Sequence, residues 1–352
     1  MEFQQIYDEF KIRDLEKSIE ELTFSSGISF WELMKETYDN SGKGFLISFV
    51  EKIRDAIILE WMDLKNIIIT IVIVLIISAL FSNFKDIFRN NQIAELSFYV
   101  NYLILILIFV NCFGQALEIG EETLRNIEQF MRVFFPTYFG IIGTTIGVGT
   151  GLGYYQIAVI VIYVVEWVLI ALLLPALSTY MLFVFMNGIW EEGKMVIFLD
   201  FYRKAIKFIL KLLLGMLTGA SILQSFINPL IDKVKGETVY KTIESIPGIG
   251  EVSEGMLRIW LGSAVLIKNS VGIAGGIFLL MVCLNPMVKI FLMGSIFKII
   301  SALLSFVAEK KMIQCMNQVG EAIFMILQTV SYGLLLFVVL IAVTAGATNG
   351  VF

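Results

Sequence analysis

Sixteen consecutive residues, Asn66 to Phe81, carry no charge and are dominated by Ile, Val and Leu. Crossing the hydrocarbon of a bilayer takes about 20 apolar residues in a helix, because only a helix satisfies its own backbone polar groups there. Four further runs repeat the pattern: Leu96 to Gln115, Gln156 to Asn187 with Glu166 and Pro175 inside it, Ile206 to Phe226, and Ile323 to Val343. Composition agrees. Apolar residues make up 58% of the 352 and charged residues 16%, against about 45–50% and about 25% in soluble chains. Mean hydropathy is +0.84. A soluble reading is excluded. The expectation is an all-α, polytopic integral membrane helical bundle.

Two apolar regions do not read as plain spans. Phe134 to Gly153 holds Pro136 and then Gly140, Gly143, Gly147, Gly149, Gly151 and Gly153. Ile259 to Leu284 holds Lys268, Asn269 and Ser270, followed by Gly272, Gly275 and Gly276. Glycine and polar side chains at membrane depth mark broken or re-entrant helices. Each region follows an amphipathic charged stretch, 118–132 and 232–258, with Pro136 or Pro247 nearby. That is a faint internal repeat of the kind seen around a transporter's central site. Pro286, with Asn285, Lys289 and Lys298 around it, leaves 277–308 either as one kinked span or as two joined by a tight turn. Six to eight spans are therefore expected over 65–345, before a short tail at 346–352.

Residues 1–64 form an amphipathic helical arm with 14 acidic and 7 basic side chains. Ser29 and Glu32 fit a capping box, with Phe30, Trp31, Met34 and Tyr38 following on one face. The arm either lies in the headgroup layer or packs its stripes on each other. The opening Met1-Glu2-Phe3-Gln4 lacks a signal-peptide pattern, so either none is needed or one was removed. Basic residues near span ends set orientation. Lys194, Arg203, Lys204, Lys207 and Lys211 make 189–211 the cytoplasmic candidate, with Lys85 and Arg89 in agreement. The arm and the 116–132 and 229–258 loops are then placed outside.

The chemistry the chain lacks is informative. It has no histidine, which removes His-based general bases, Ser-His-Asp sites and His metal sites. Cys112, Cys283 and Cys315 stand far apart and suit neither a disulfide framework nor a zinc ribbon. A net charge of −5 gives no case for nucleic-acid binding. No cofactor, metal or catalytic residue is expected, and the protein is not read as an enzyme.

Lys268 sits among apolar residues, where a lysine costs about 2.5–3.5 kcal/mol on insertion scales. It pairs with a carboxylate or carbonyls, lines a wet cavity with Asn269 and Ser270, or snorkels to the interface. Glu166 is the carboxylate deep in its span, and the natural partner for Lys268 or Lys289. A structural ion pair is favoured over a proton relay, since one carboxylate cannot supply a paired acid and base. Gly143, Gly147 and Gly151, and likewise Gly272 and Gly276, recur every four residues. That spacing reads as close helix packing.

The segment Ile246-Pro247-Gly248-Ile249-Gly250, an acidic linker, and then Lys268-Asn269-Ser270-Val271-Gly272-Ile273-Ala274-Gly275 resembles the stage III sporulation protein AE family of endospore-forming bacteria. Asn126 to Phe130 before Phe135-Pro136, Leu173-Leu174-Pro175, and Pro286 to Lys289 extend the resemblance along most of the chain. The resemblance implies a multi-pass protein of the mother-cell membrane around the forespore. It implies membership of the channel complex, or feeding tube, that joins the two compartments, with a gate or export-core role. The partners it implies are other stage III sporulation membrane and ring proteins, a secretion-type ATPase, a forespore membrane partner and the lipid bilayer. It carries no catalytic residue. The alternative is a stand-alone secondary transporter for a small solute, motivated by the two glycine-rich regions and by Lys268 and Glu166.

Overall fold

The computed structural model describes residues 91–146, 148–189, 195–216, 250–306 and 309–347, with short pieces at 54–55, 57–58, 64–65 and 68–77. Most of the amino-terminal arm therefore lies outside the described residues. Every described element is helical, and no strand occurs among them. In chain order they are α1 (Ile68–Ile77), α2 (Asn91–Ile146), α3 (Val148–Glu166), a π-helical segment (Trp167–Leu173), α4 (Leu174–Ile189), α5 (196–216), α6 (Gly250–Leu304) and α7 (Lys310–Ala347).

Among the described residues, four stretches are long and apolar enough to cross a membrane: Tyr99–Gly143, Tyr155–Ile189, Lys268–Leu304 and Lys310–Gly346. Of the clearest run in the sequence, at 66–81, the described residues form the apolar helix Ile68–Ile77, and the rest lies outside the described residues. At about 1.5 Å per residue, the 45 residues of Tyr99–Gly143 reach about 68 Å. The hydrocarbon is about 30 Å thick, so this rod extends well beyond one perpendicular crossing.

Cross-contacts fix the packing directions. Arg132 meets Glu166 and Phe139 meets Tyr155, so α2 and α3 run antiparallel. Phe109 on Phe297 and Phe130 on Phe278 set α2 antiparallel to α6. Ser301 donates to the Ile313 carbonyl and Lys298 reaches Glu321, which makes α6 and α7 an antiparallel pair. Phe183 on Phe198 and Tyr180 on Tyr202 lay α5 back along α4.

The 116–132 stretch, read from its charges as an external loop, is instead the middle of α2. Its charges do not break the helix because the apolar positions between them keep helical spacing and are buried: Leu124, Ile127, Phe130 and Met131. Pro136 and Pro286 also lie inside helices. Each removes one backbone donor, a loss that neighbouring helices tolerate at membrane depth.

Helix continuity across 259–284 is complete, since α6 runs from Gly250 to Leu304. Two of the glycines there, Gly272 and Gly275, receive aromatic rings. Phe130, Phe134 and Tyr138 stack in succession along α2, with centroids 5.3 and 5.1 Å apart. A Cβ on Gly275 would come 2.5 Å from the Phe134 ring, and one on Gly272 would come 2.7 Å from the Tyr138 hydroxyl. In the earlier region α2 is helical to Ile146 and α3 from Val148. Gly147 lies outside the described residues, and so do the surroundings of Gly151.

The third rod departs from the α register. Trp167–Leu173 is π-helical, and the Leu174 N–H bonds to the Leu169 carbonyl five residues back. Pro175 follows directly. A proline ring clashes with the carbonyl four residues before it, and the wider π turn moves that carbonyl away. Hydroxyls along the rods are satisfied locally: Thr123, Ser178, Thr329, Ser331 and Thr344 each donate to the carbonyl four residues back.

Candidate functional site

Lys268 is fully buried between α6 and the carboxyl end of α7, and its Nζ donates to the Ala345 carbonyl at 3.5 Å. The last carbonyls of a helix lack intrahelical donors and carry partial negative charge. These carbonyls help to compensate the ammonium group. The expected pairing of Lys268 or Lys289 with Glu166 is replaced by another. Glu166 accepts from Arg132 Nη2 at 3.1 Å, and Arg132 also contacts Glu128 one turn away. Antiparallel packing of α2 on α3 brings Arg132 to Glu166, whereas Lys268 belongs to the α6–α7 pair. Lys289 is half-buried on α6.

Beside Lys268 a groove of about 560 Å³ opens between α6 and α7. Asn269, Gly272, Gly276, Ile341, Ala342 and Ala345 are among its lining residues. A Cβ on Gly276 would meet nothing within 4 Å, so this glycine opens onto the groove instead of seating a neighbour. The Oδ1 of Asn269 is buried without a hydrogen-bond partner, and so is the hydroxyl of Tyr138, which lies over Gly272. Asn269 thus brings one unsatisfied polar atom to an otherwise apolar groove, and the Tyr138 hydroxyl is a second such atom packed against Gly272 from α2. Ser270 is half-buried next to them, and Gly143 is buried on α2.

A second cluster was not singled out in the sequence. Glu321 of α7 accepts from Arg203 at 2.8 Å through Oε2 and from Lys298 at 3.1 Å through Oε1. Arg203 also reaches Asp200 at 2.8 Å, and Asp200 takes Lys204 at 2.8 Å. These two cations, Lys204 and Arg203, hold the half-exposed Asp200 carboxyl at about 2, below the usual carboxylate range. The cluster ties α5, α6 and α7 together. One signal could have found it: Glu321 is the sole carboxylate between Lys311 and the end of the chain.

No group of three or more Cys, Asp and Glu side chains suited to a metal occurs among the described residues. The three cysteines are free and buried. What the arrangement offers is charge held between apolar rods.

Comparison with known proteins matches residues 28–348 to the family described as Stage III sporulation protein AE. Stage III sporulation protein AE of Bacillus subtilis (strain 168) is 18% identical over 337 residues, covering 91% of this chain and 84% of that protein. No solved structure matches.

Proposed function

Because this chain belongs to the stage III sporulation protein AE family, we propose that this multi-pass sporulation protein is a membrane-embedded subunit of a channel complex joining mother cell and forespore. It sits in the mother-cell membrane around the forespore and acts as a gate or export core without a catalytic step. Its partners are the other stage III membrane and ring proteins, a secretion-type ATPase and a forespore membrane protein. The observation that carries this reading is the placement of charge. Arg132–Glu166 and Lys298–Glu321 each join two rods of membrane-spanning composition, and Arg203 of α5 reaches the same Glu321 carboxylate. Ionisable groups within such rods are costly and mark pathways or assembly contacts.

Affinity capture of the tagged protein from sporulating cells tests it. Ring proteins and ATPase should co-purify, and a deletion strain should stall after engulfment with a forespore that cannot sustain expression. Normal spores from a clean deletion overturn the proposal. The α6–α7 groove favours a second reading, a stand-alone transporter for a small solute. Purified protein in liposomes would then accumulate solute against a gradient, and Lys268→Ala would abolish uptake.

A further inference from the structure

The outward face of α2 changes character along its length. Leu96, Val100, Leu103 and Leu107 are exposed and apolar. Beyond them the exposed positions become Asn111, Gln115, Glu118, Glu122, Arg125 and Gln129. Their spacing of four and three residues puts all six on one stripe. The stripe is about 27 Å long at 1.5 Å per residue, close to the thickness of the hydrocarbon at about 30 Å.

Among the described residues, the other rods expose mainly apolar side chains at the same level, and the ionised groups there, Glu166 and Lys298, are paired. Leu124 of α2 and Leu169 of the π segment both meet the Gly333 position of α7, so these two rods are aligned there. Around Leu169 the exposed side chains include Tyr163, Val164, Trp167 and Leu172. Phe109 on Phe297 and Phe130 on Phe278 align the two ends of the stripe with α6. Between those points α6 exposes Leu280 and Phe291, with Asn285 as its one exposed polar side chain. If this level lay outside the membrane, the large apolar surface of Trp167, Leu172 and Phe291 would stand in water. If the stripe faced lipid, ionised carboxylates would stand in hydrocarbon, at high cost. Arg125 is paired with Glu121 at 2.7 Å. Among the described residues, Glu118 and Glu122 enter no ion pair.

We infer that the α2 stripe from Asn111 to Gln129 is the wall of a water-filled, cation-preferring path at membrane depth, opposite the lipid-facing side formed by the Trp167 rod and α6. The unpaired Glu118 and Glu122 give the wall its negative sign. A wall open on one side needs further subunits to close it, so the inference rests on the channel-subunit reading. It moves the wet surface away from Lys268 and onto α2.

Single cysteines test it in the full-length protein in membrane vesicles, with Cys112, Cys283 and Cys315 replaced by Ala. Gln115→Cys, Glu118→Cys, Glu122→Cys and Gln129→Cys are compared with Val164→Cys, Trp167→Cys, Leu172→Cys and Phe291→Cys. Stripe positions should react with a cationic methanethiosulfonate at least tenfold faster than the apolar set, and severalfold faster than with its anionic counterpart. Equal rates in the two sets, an unreactive stripe, or no charge preference overturns the inference. If the cysteine-free protein does not accumulate, the wild-type chain serves. Glu118 and Glu122 should couple to a hydrophilic amine through a water-soluble carbodiimide, and coupling only by dicyclohexylcarbodiimide overturns the inference. Stripe labelling without capture of companion proteins would sink the complex but leave the wet wall standing. Capture with an unlabelled stripe would do the reverse.

Discussion

Arg203 and Glu321 meet at 2.8 Å although 118 positions separate them in the chain. Because Lys298 takes the other oxygen of the same carboxylate, Glu321 is the hub and each cation a spoke. Glu321→Gln should lower thermal stability in mild detergent by about 1–3 kcal/mol, since it leaves two partly buried cations short of an acceptor. Lys298→Met should cost less. Melting curves that rank the two variants the other way round would show that the hub is wrongly assigned.

Glycine tolerance should follow the rings and not the spacing. Gly275→Ala drives a methyl into Phe134 and should cost about 1–3 kcal/mol through overpacking. Gly276→Ala points into open space and should be neutral or stabilise by up to about 1 kcal/mol, because alanine is the better helix former. Equal melting midpoints for the two variants would contradict the ring-over-glycine account.

Lys268 should behave as an anchor on a helix end. Lys268→Met removes a buried charge together with its desolvation cost, and should stay within about 1 kcal/mol of the parent. Lys268→Glu sets a carboxylate against the last carbonyls of α7 and should cost about 3–5 kcal/mol. Yield of monodisperse protein together with the melting midpoint reads both. A stable Lys268→Glu protein would remove the helix-end role.

The Asp200 cluster should ignore mild acid. A carboxyl whose folded value is depressed adds stability that is present above its unfolded value, 3.8, and is lost only as pH falls through the folded value, about 2. Between pH 7 and 5 the carboxylate band of isotope-labelled Asp200 should stay unprotonated. Protonation near pH 4 would show that Lys204 and Arg203 do not hold it.

The helical, membrane-spanning character was legible because it depends on composition within one segment. Gln156 to Asn187 and Ile323 to Val343 both fall inside observed rods. Partner choice was not legible, because it depends on which rods become neighbours. Glu166 looked destined for a lysine since Arg132 had been read as part of a loop. Charge density at 116–132 hid a helix whose buried face alternates correctly with its charged one. Glu321 was missed because it stands just before the last uncharged run. Gly272 and Gly276 share one spacing rule, yet one carries a tyrosine ring and the other opens onto a groove. That difference is set by α2 and cannot be read within α6 itself.

The wide turn at Trp167–Leu173 has a consequence for chain length. One surplus residue rotates everything after it by about 100° relative to a regular helix. The inner faces of α3 and α4 are matched to their neighbours only with that offset in place. Lengthening or shortening the chain by one residue should therefore be absorbed best inside this turn. The same change at Val161 or Val184 would turn half of a rod's inner face towards the lipid.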